Sequence, residues 1–465
     1  MNKFTKKQKR KLIASEKIGT ILFAGAMAIG CLAGLLFFAR PAVSELENRT
    51  LTGFPAFTFS SFLDGSWFSG ISTWYSDTFP GREKLMKAGL DLKKSYGIQP
   101  KEALLSTGNA DDLPADDENR EKKFTRFEIP DTYIPTEDVE NRIMEGTMLK
   151  DGAIYSGCYF VQESADAWFD LINSTAKELE GITNVYSVLL PNNSGALLDE
   201  ADMEQLGGTD QAQEIEYYFS NYSDLVHPVD AMSAVRNHKD EYIYFRTDHH
   251  WTADGAWYAY EAFCKEKGIE PHTRDTFESH TYEPFLGSYS IEFPDLELNP
   301  DSVTGYVPKG TNDMVYYDAD PATGKVSTKA LGDPIPAKIF STEEGYGDYD
   351  HYMRFIAGDQ GFSVIDNPEI EDGTTCLVVK ESYGNCFVPY LVDHYDKVYV
   401  VDFRYNSDNL IDFCKENQIT DLILHNNIQL IGSTNVVAMY QNLFEIPGQD
   451  DGSADTQNNQ NDSQS

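Results

Sequence analysis

The chain has 465 residues, enough for one large domain or two of ordinary size, and 41% of them are hydrophobic, which is close to the globular norm. Its formal net charge is −38, although residues 1–17 carry seven basic side chains and one acidic one. Because nucleic-acid binding requires a positive protein face, the strongly acidic remainder of the chain excludes that role and argues against a polyanionic substrate.

The segment after these basic residues has the composition of a membrane anchor. Residues 18–39 are uncharged and mostly apolar, and a helix that spans a bilayer needs about 20 such residues. A cleavable signal peptide has a shorter apolar run that ends in small residues, whereas this run leads directly into Arg40-Pro41. We therefore favour an uncleaved, single-pass anchor. The preceding basic cluster predicts a cytoplasmic N-terminus and an extracytoplasmic body.

Composition divides the rest of the chain into segments. Residues 40–104 are rich in aromatic side chains and are predicted to pack on the body as a juxtamembrane segment, and residues 105–146 form an acidic, flexible loop without apolar periodicity. The body is predicted over residues 147–445, with a Pro-, Gly- and Asp-rich insertion at about 270–370. The Asp/Asn/Gln/Ser-rich residues 446–465 indicate a disordered tail.

The first half of the body shows alternating strand and helix signals. Asn184–Leu190 is a short apolar run that ends in a Pro-Asn-Asn turn, which is typical of a buried strand. Residues 209–221 have helical spacing, and residues 241–245 are predicted to form another strand. Thr252 is a helix N-cap, and Gly268 ends the helix that follows it.

The last part of the body has a regular β-α-β-α-β order, which predicts a parallel sheet flanked by helices with right-handed crossovers. The predicted elements are a strand at Thr375–Lys380, a helix at 387–395, a strand at 397–401, a helix at 407–417, a strand at 421–425 and a helix at 436–444.

The six cysteines show neither C-x-x-C nor metal-binding spacing. Several of them fall on predicted apolar faces, so we expect buried free thiols. The alternative is one disulfide bond, which a protein outside the cytoplasm can form. The six cysteines are Cys31, in the predicted anchor, and Cys158, Cys264, Cys376, Cys386 and Cys414.

Ser382 lies where a predicted strand turns into a helix. A serine hydroxyl becomes nucleophilic only beside a base, and the free N–H groups of such a turn can bind the oxyanion that develops on a carbonyl. The carboxyl edge of a parallel sheet is also where α/β proteins bind ligands. Tyr383-Gly384-Asn385 follows, and Gly384 would permit a close backbone approach. The alternative is a plain N-cap serine.

Asp248 and His250 form a candidate acid–base pair. Histidine is the most common general base near neutral pH, and it needs an acceptor on its other nitrogen. In an extended segment, residues two apart share a face, so His249 would point away. Two structural histidines are one alternative. A zinc site is another, but adjacent histidines in a strand diverge and no fourth ligand is evident, so we predict no metal.

Together these motifs carry a family resemblance. Thr247-Asp248-His249-His250-Trp251, the run from Glu381 to Asn385 and the run from Val400 to Arg404 resemble the DHHW family of bacterial surface proteins, as do residues 44–49 and 77–82. Through that family the chain is similar to the SGNH-hydrolase-like domains of alginate O-acetylation proteins. The resemblance covers most of residues 40–445.

The resemblance implies an SGNH-hydrolase-like (flavodoxin-like) α/β fold with a permuted motif order, which follows the transmembrane helix in the chain. It implies a triad of Ser382, His250 and Asp248, with His249 and Trp251 in secondary positions and no cofactor. The candidates for oxyanion or substrate contacts are Tyr383, Gly384, Asn385, Arg404 and Asn426. Asn426 or Asn427, after the last predicted strand, could substitute for the family's oxyanion asparagine. The sequence departs from the family pattern at Glu381, where aspartate is common, and it lacks the usual Gly-x-Asn block.

The implied activity is extracytoplasmic transfer of an acyl group, acetyl in the alginate O-acetylation proteins, to a cell-surface polysaccharide. A membrane-bound O-acyltransferase is the implied partner, and the location is the bacterial cell membrane. Two alternatives stay open: a carbohydrate esterase of the same fold, which would transfer the acyl group to water, and a non-catalytic glycan-binding scaffold.

Overall fold

The computed structural model describes residues 146–294 and 296–446 without interruption. It also describes shorter pieces at residues 43–44, 49–50, 53–55, 57, 59, 62, 66–79, 103–106, 111 and 113. Within these residues no helix is both long and apolar enough to cross a membrane. The predicted anchor at 18–39, the basic segment before it, most of the acidic loop and nearly all of the predicted tail lie outside the described residues.

The chain divides into two compact units, residues 1–97 and residues 98–465. In the first unit, strands β1 (Val43–Ser44) and β2 (Arg49–Thr50) pair antiparallel, and helix α1 spans Ser66–Asp77. Trp74 of this helix makes an edge contact with Phe54, with ring centroids 4.9 Å apart. The predicted packing of residues 40–104 on the body stays a prediction.

The second unit alternates strands and helices, as the sequence predicts. Its strands are β3 (Ala103–Ser106), β4 (Thr147–Lys150), β5 (Ala153–Ser156), β6 (Asn184–Leu190), β7 (Val226–Val229), β8 (Glu278–Phe285), β9 (Asp301–Val307), β10 (Asp313–Tyr316), β11 (Ile335–Lys338), β12 (Ser363–Asp366), β13 (Thr375–Lys380), β14 (Lys397–Asp402) and β15 (Asp421–Asn427). Its α-helices are α2 (Gln162–Glu178), α3 (Asn193–Leu197), α4 (Glu200–Leu206), α5 (Gln211–Ser220), α6 (Ala231–Arg236), α7 (Ala253–Lys267), α8 (Ser288–Glu292), α9 (Val388–Leu391), α10 (Leu410–Glu416), α11 (Ile428–Ile431) and α12 (Thr434–Leu443). The 3₁₀ turns are Arg274–Thr276, Thr328–Ala330, His351–Arg354, Ser382–Cys386 and Val392–His394.

Eight of the described strands form one sheet, in the order β11-β10-β12-β14-β13-β15-β6-β7. From β14 to β7 all neighbours are parallel, which confirms the predicted arrangement for this half. The sheet as a whole is mixed, because β12, β10 and β11 add an antiparallel extension to the parallel half. These three strands come from the region at 270–370. Strand β12 pairs with the edge of β14, whose backbone polar groups would otherwise lack partners, β10 pairs with β12, and β11 pairs with β10.

Helices cover both faces of the parallel half, so its strands are apolar on both sides. Val188 of β6 and Val378 of β13 pack in one hydrophobic cluster, which α7 covers. Their neighbours Leu189 and Val379 pack in the opposite cluster, against α2, α5 and α12. The alternation of side chains along each strand divides the core in this way.

The predicted strand at 241–245 is wrong. Tyr244 makes one isolated bridge to Trp251, and the N–H of Thr252 donates to the carbonyl of Ile243 at 2.9 Å. The run therefore pairs with the segment that follows it, in a tight reversal, instead of joining a sheet. Apolar patterning does not distinguish these two partners. The reversal carries the Asp-His pair at its tip.

Helix α7 begins and ends as predicted. The Thr252 hydroxyl accepts the N–H of Gly255 at 3.2 Å, and Gly268 ends the helix in the left-handed conformation, with φ of 75°. The predicted helix at 387–395 is shorter than expected: α9 covers only Val388–Leu391, with Pro389 in its first turn, and a 3₁₀ turn over Val392–His394 follows. Five cysteines are buried free thiols, as predicted: Cys158, Cys264, Cys376, Cys386 and Cys414.

Candidate active site

Ser382 follows directly on the carboxyl end of β13. Glu381 caps the turn, because its carboxylate accepts the N–H of Tyr383 at 2.8 Å, and the N–H of Gly384 donates to the Glu381 carbonyl at 2.9 Å. A Cβ atom at Gly384 would lie 2.6 Å from Cβ of Lys380, so this turn requires glycine for the predicted close approach. The turn presents the Ser382 hydroxyl at the sheet edge where ligands bind in open α/β folds.

Three predicted residues form a continuous chain of hydrogen bonds. Ser382 Oγ lies 2.7 Å from His250 Nε2, and His250 Nδ1 lies 2.5 Å from Asp248 Oδ1. A carboxylate only accepts, so Nδ1 carries the proton and Nε2 is the acceptor for the serine O–H. All three side chains are buried. This is the geometry in which a histidine can remove the proton from a serine nucleophile.

Asp248 is fixed on both carboxylate oxygens. Oδ1 also accepts the backbone N–H of His250 at 2.9 Å, and Oδ2 accepts the N–H of Ser288 at 2.7 Å. Burial by itself would raise the pKa of this carboxyl, but the neighbouring His250 and His249 outweigh burial and hold the pKa well below its usual range. Asp248 is therefore an anion at neutral pH and can stabilise an imidazolium.

His249 does not point away from the site, as the extended-strand argument predicted. Its side chain is 44% exposed and lines the same cavity as Ser382, and its Nδ1 lies 2.7 Å from the Ser288 hydroxyl. Potential metal-binding atoms of Asp248, His249 and His250 lie within 4.8 Å of one another. Both nitrogens of His250 already have hydrogen-bond partners, so a metal would have to displace Asp248 or Ser382.

Glu381 joins the ends of two central strands. Besides the N–H of Tyr383, its carboxylate accepts the N–H of Asn427, at the end of β15, at 3.1 Å. Burial raises the pKa of Glu381 above the ordinary value for glutamate. Two backbone donors next to Ser382 are thus already engaged by this side chain, and they are not free to bind an oxyanion.

Arg404 borders the cavity within a network of four charges. Its Nε and Nη2 donate to Asp402 at 2.9 and 2.7 Å, and Nη2 also donates to Asp359 at 2.7 Å. The fully buried Lys380 pairs with the same two carboxylates at 3.2 and 3.3 Å. Two cations and two anions balance, which leaves the network without net charge. Arg404 Nη1 takes part in none of these hydrogen bonds.

These groups surround a cavity of about 360 Å³. Seven of its eleven lining residues are Ser, Asn, Gln or Tyr, whose uncharged polar groups can bind a polyhydroxylated ligand. The lining residues are Ser156, Asn192, His249, Tyr289, Glu381, Ser382, Tyr383, Arg404, Asn427, Gln429 and Leu430. Among the described residues, the amide nitrogen Nδ2 of Asn427 is buried without a hydrogen-bond partner.

Three of the predicted contact residues point elsewhere. Asn385 donates its amide to Asp359 at 2.9 Å, and Asn426 donates to the hydroxyl of Tyr440 at 2.5 Å. Neither lines the cavity, and the N–H of Gly384 is already used inside the turn. Each of these three residues thus uses a donor group for an internal partner, and their contact with an oxyanion stays a prediction.

The other predicted residues lie at or behind the cavity. Tyr383 lines it and donates its hydroxyl to the carbonyl of His249. Trp251 is fully buried, and its indole N–H donates to the carbonyl of Tyr383 at 2.9 Å, so it supports the wall from behind.

The sequence analysis missed several residues of the site. Asn192 lines the cavity at the end of β6, and its position after a predicted buried strand is a signal that could have identified it. Tyr289 and Tyr352, by contrast, come from the region read as an insertion. Tyr352 stacks on His250, with ring centroids 4.1 Å apart. No local pattern marks either tyrosine.

Comparison with known proteins gives one family and a small set of similar structures. The family model described as DHHW protein matches residues 47–143 and 130–401. A crystal structure of a DHHW family protein from Eubacterium siraeum is 27% identical with a TM-score of 0.55, and the match covers 65% of this chain and 97% of that chain. No curated protein matches the chain.

Two further structures are more distant. Bacillus cereus PatB1 is 17% identical with a TM-score of 0.50, covering 63% of this chain and 97% of that chain, and this likeness shows the fold alone. The O-acetyltransferase domain of Pseudomonas putida AlgJ is 13% identical with a TM-score of 0.34, covering 63% of this chain and 96% of that chain.

Proposed function

Because the chain belongs to the DHHW family, we propose that it is a serine-dependent O-acyltransferase that moves an acyl group, most simply acetyl, to a hydroxyl group of a cell-surface polysaccharide. The observation that carries the proposal is the chain of hydrogen bonds from Ser382 through His250 to Asp248 at the wall of a cavity. A decayed binding site would have no need to keep all three groups in this geometry.

The reaction proceeds in two halves. His250 Nε2 takes the proton of Ser382 as the serine oxygen bonds to the carbonyl carbon of the donor, and it then returns that proton to the leaving group. This leaves an acyl ester on Ser382. A sugar hydroxyl next loses its proton to His250 and attacks the ester, and the released Ser382 oxygen takes the proton back. Asp248 holds the imidazole and stabilises its cation in both halves.

The oxyanion needs donors that are not already engaged. Arg404 Nη1 and Asn427 Nδ2 meet this condition, and both residues line the cavity together with Ser382. The charge of Arg404 is balanced by neighbouring carboxylates, so it suits a transient oxyanion better than a permanent anion.

The acceptor side of the cavity supports a sugar. Ser156, Asn192, Tyr289 and Gln429 line the cavity; the Ser156 and Tyr289 hydroxyls lie 2.5 Å apart, and each keeps a lone pair that can accept a hydrogen bond from a sugar hydroxyl. The chain after residue 39 is strongly acidic, which favours a neutral glycan over a polyanionic one.

We also propose that residues 18–39 anchor the protein in the bacterial cell membrane, with the body outside. Acyl-CoA is confined to the cytoplasm, so a membrane-bound O-acyltransferase would pass the acyl group across. A variant without residues 1–39 should be released from the membrane fraction of cells. Retention of that variant in the membrane would count against the anchor.

A direct test uses the purified full-length chain and 4-nitrophenyl acetate. We expect release of nitrophenol by the wild type, release at background level by Ser382→Ala, and normal release by Ser220→Ala, a matched serine outside the cavity. A sulfonyl fluoride should sulfonylate Ser382 with loss of HF, which adds the mass of the reagent less HF to the peptide that contains this serine. If wild type and Ser382→Ala behave alike in both measurements, the enzyme proposal fails and the scaffold alternative gains support.

The direction of transfer is tested with an acceptor. In the presence of neutral oligosaccharides, the transferase should produce acetylated sugar, measured by mass spectrometry. Serine-dependent release of acetate with no acetylated sugar would identify an esterase.

A further inference from the structure

Tyr352 connects the base and the nucleophile of the proposed reaction. It lies in the 3₁₀ turn His351–Arg354, which follows β11. Its ring stacks on the imidazole of His250, with centroids 4.1 Å apart and planes inclined by 16°. Its hydroxyl donates to the backbone carbonyl of Ser382 at 2.9 Å. A single side chain therefore contacts both reacting residues.

The packing around Tyr352 leaves this ring little freedom. The side chain is 4% exposed, and its ring makes edge or tilted contacts with Phe245 at 6.0 Å and Phe355 at 5.5 Å. Its hydroxyl lies 3.5 Å from Cys386 Sγ, besides the carbonyl of Ser382. These contacts hold the ring, which belongs to the region at 270–370, against the imidazole.

An aromatic face against an imidazole has a chemical consequence. When His250 takes the serine proton it becomes a cation, and the negative face of an aromatic ring attracts a cation, most strongly where water is excluded. The attraction is weak while the imidazole is neutral. The stack therefore favours the charged state through which the reaction passes, and differential stabilisation of that kind raises the rate.

We propose that Tyr352 is a positioning residue of the acyl-transfer reaction, which stabilises the imidazolium of His250 through its ring and holds the Ser382 turn through its hydroxyl. This inference rests on the proposed function. It assigns a role to the region at 270–370, which composition alone identifies as an insertion.

Other charged and titratable groups near His250 also affect the imidazolium. Substitutions at position 352 leave these groups in the chain, so the comparison between variants isolates the effect of Tyr352. The charged or titratable groups near the imidazole are Asp248, His249, Asp359, Glu381 and Tyr383.

The experiment measures the pH dependence of kcat/KM with 4-nitrophenyl acetate, for the full-length chain. Tyr352→Leu removes the aromatic face, so the imidazolium loses support and the acidic limb should move to lower pH by roughly half a unit to one unit. Tyr352→Phe keeps the face and should leave the limb in place, with kcat lowered several-fold. Phe277→Leu is the packing control and should not move the limb, because this buried ring contacts Trp257 and Tyr390 and makes no ring contact with Tyr352 or His250.

Tyr352→Leu removes a buried ring and could fail to fold, so a second measurement keeps the inference testable. A trifluorophenylalanine at position 352 retains the shape of phenylalanine but weakens the negative face of the ring. It should move the acidic limb to lower pH relative to Tyr352→Phe.

A limb that coincides for the fluorinated and unfluorinated rings would overturn the inference, while Ser382-dependent activity would still support the proposed function. If Ser382→Ala is as active as the wild type, the proposed function itself fails.

Discussion

Replacing Asp248 by asparagine keeps the shape of the side chain but exchanges one acceptor oxygen for a donor. Oδ1 accepts from both the N–H and the Nδ1–H of His250, at 2.9 and 2.5 Å, and Oδ2 accepts from Ser288 at 2.7 Å. An NH₂ group in either position must face an N–H donor. We expect it to take the Oδ2 position in Asp248→Asn, because that orientation sacrifices one hydrogen bond rather than two.

The expected loss of activity follows from this orientation. His250 keeps its tautomer, so the main effect is the missing negative charge beside the imidazolium. Two unit charges about 4 Å apart attract by about 4 kcal/mol at an effective dielectric constant of 20. That energy corresponds to a rate lowered by roughly 10³. If the NH₂ group faces His250 instead, the proton moves to Nε2, and the loss should approach about 10⁴.

The assay is kcat/KM for 4-nitrophenyl acetate between pH 6 and 9. The control is Asp254→Asn, since Asp254 accepts hydrogen bonds from Arg274 and Tyr306 away from the Ser382 cavity, and it should retain normal activity. Activity of Asp248→Asn within tenfold of the wild type, alongside an inactive Ser382→Ala, would refute the reasoning.

Three further predictions follow from the contacts. A Cβ atom on Gly287 would lie 2.1 Å from Cβ of Asp248, so Gly287→Ala should displace the carboxylate and lower kcat at least tenfold. The control is Gly332→Ala, whose added Cβ atom meets no neighbour and should leave kcat unchanged. Equal kcat values for the two variants would contradict this prediction. Burial raises the pKa of Glu214 to about 8, above the unfolded value of about 4.3, so stability present below about pH 4 is lost as pH rises toward about 8. In urea unfolding, the free energy of unfolding of Glu214→Gln should exceed that of the wild type by a few kcal/mol at pH 8.5 but not at pH 4. A difference that stays the same at both pH values would contradict this prediction. Arg404→Lys keeps the charge but loses the planar fork, so kcat should fall by at least about tenfold with KM little changed, and a rise in KM alone would indicate substrate binding instead.

Features fixed by neighbouring residues were predictable from the sequence. The strand at Asn184–Leu190 and the strand at Thr375–Lys380 are apolar runs with turn signals at their ends, and the structure has them with the same bounds. The helix between Thr252 and Gly268 is set by a side-chain cap and by a left-handed glycine, both local effects. The same locality explains why Ser382 could be placed at the carboxyl edge of a sheet.

Features that depend on distant partners came only from the tertiary structure. His250 and Ser382 are 132 residues apart and meet at 2.7 Å because a tight reversal and a sheet edge face each other. Asn426 lies near the carboxyl end of a central strand, as an oxyanion donor could, but it donates its amide to Tyr440 of a later helix. Tyr352 carries no motif and reaches the imidazole only because its turn packs over the site. Periodicity and caps therefore determine which elements form, whereas the direction of each side chain is decided by the partners that folding brings to it.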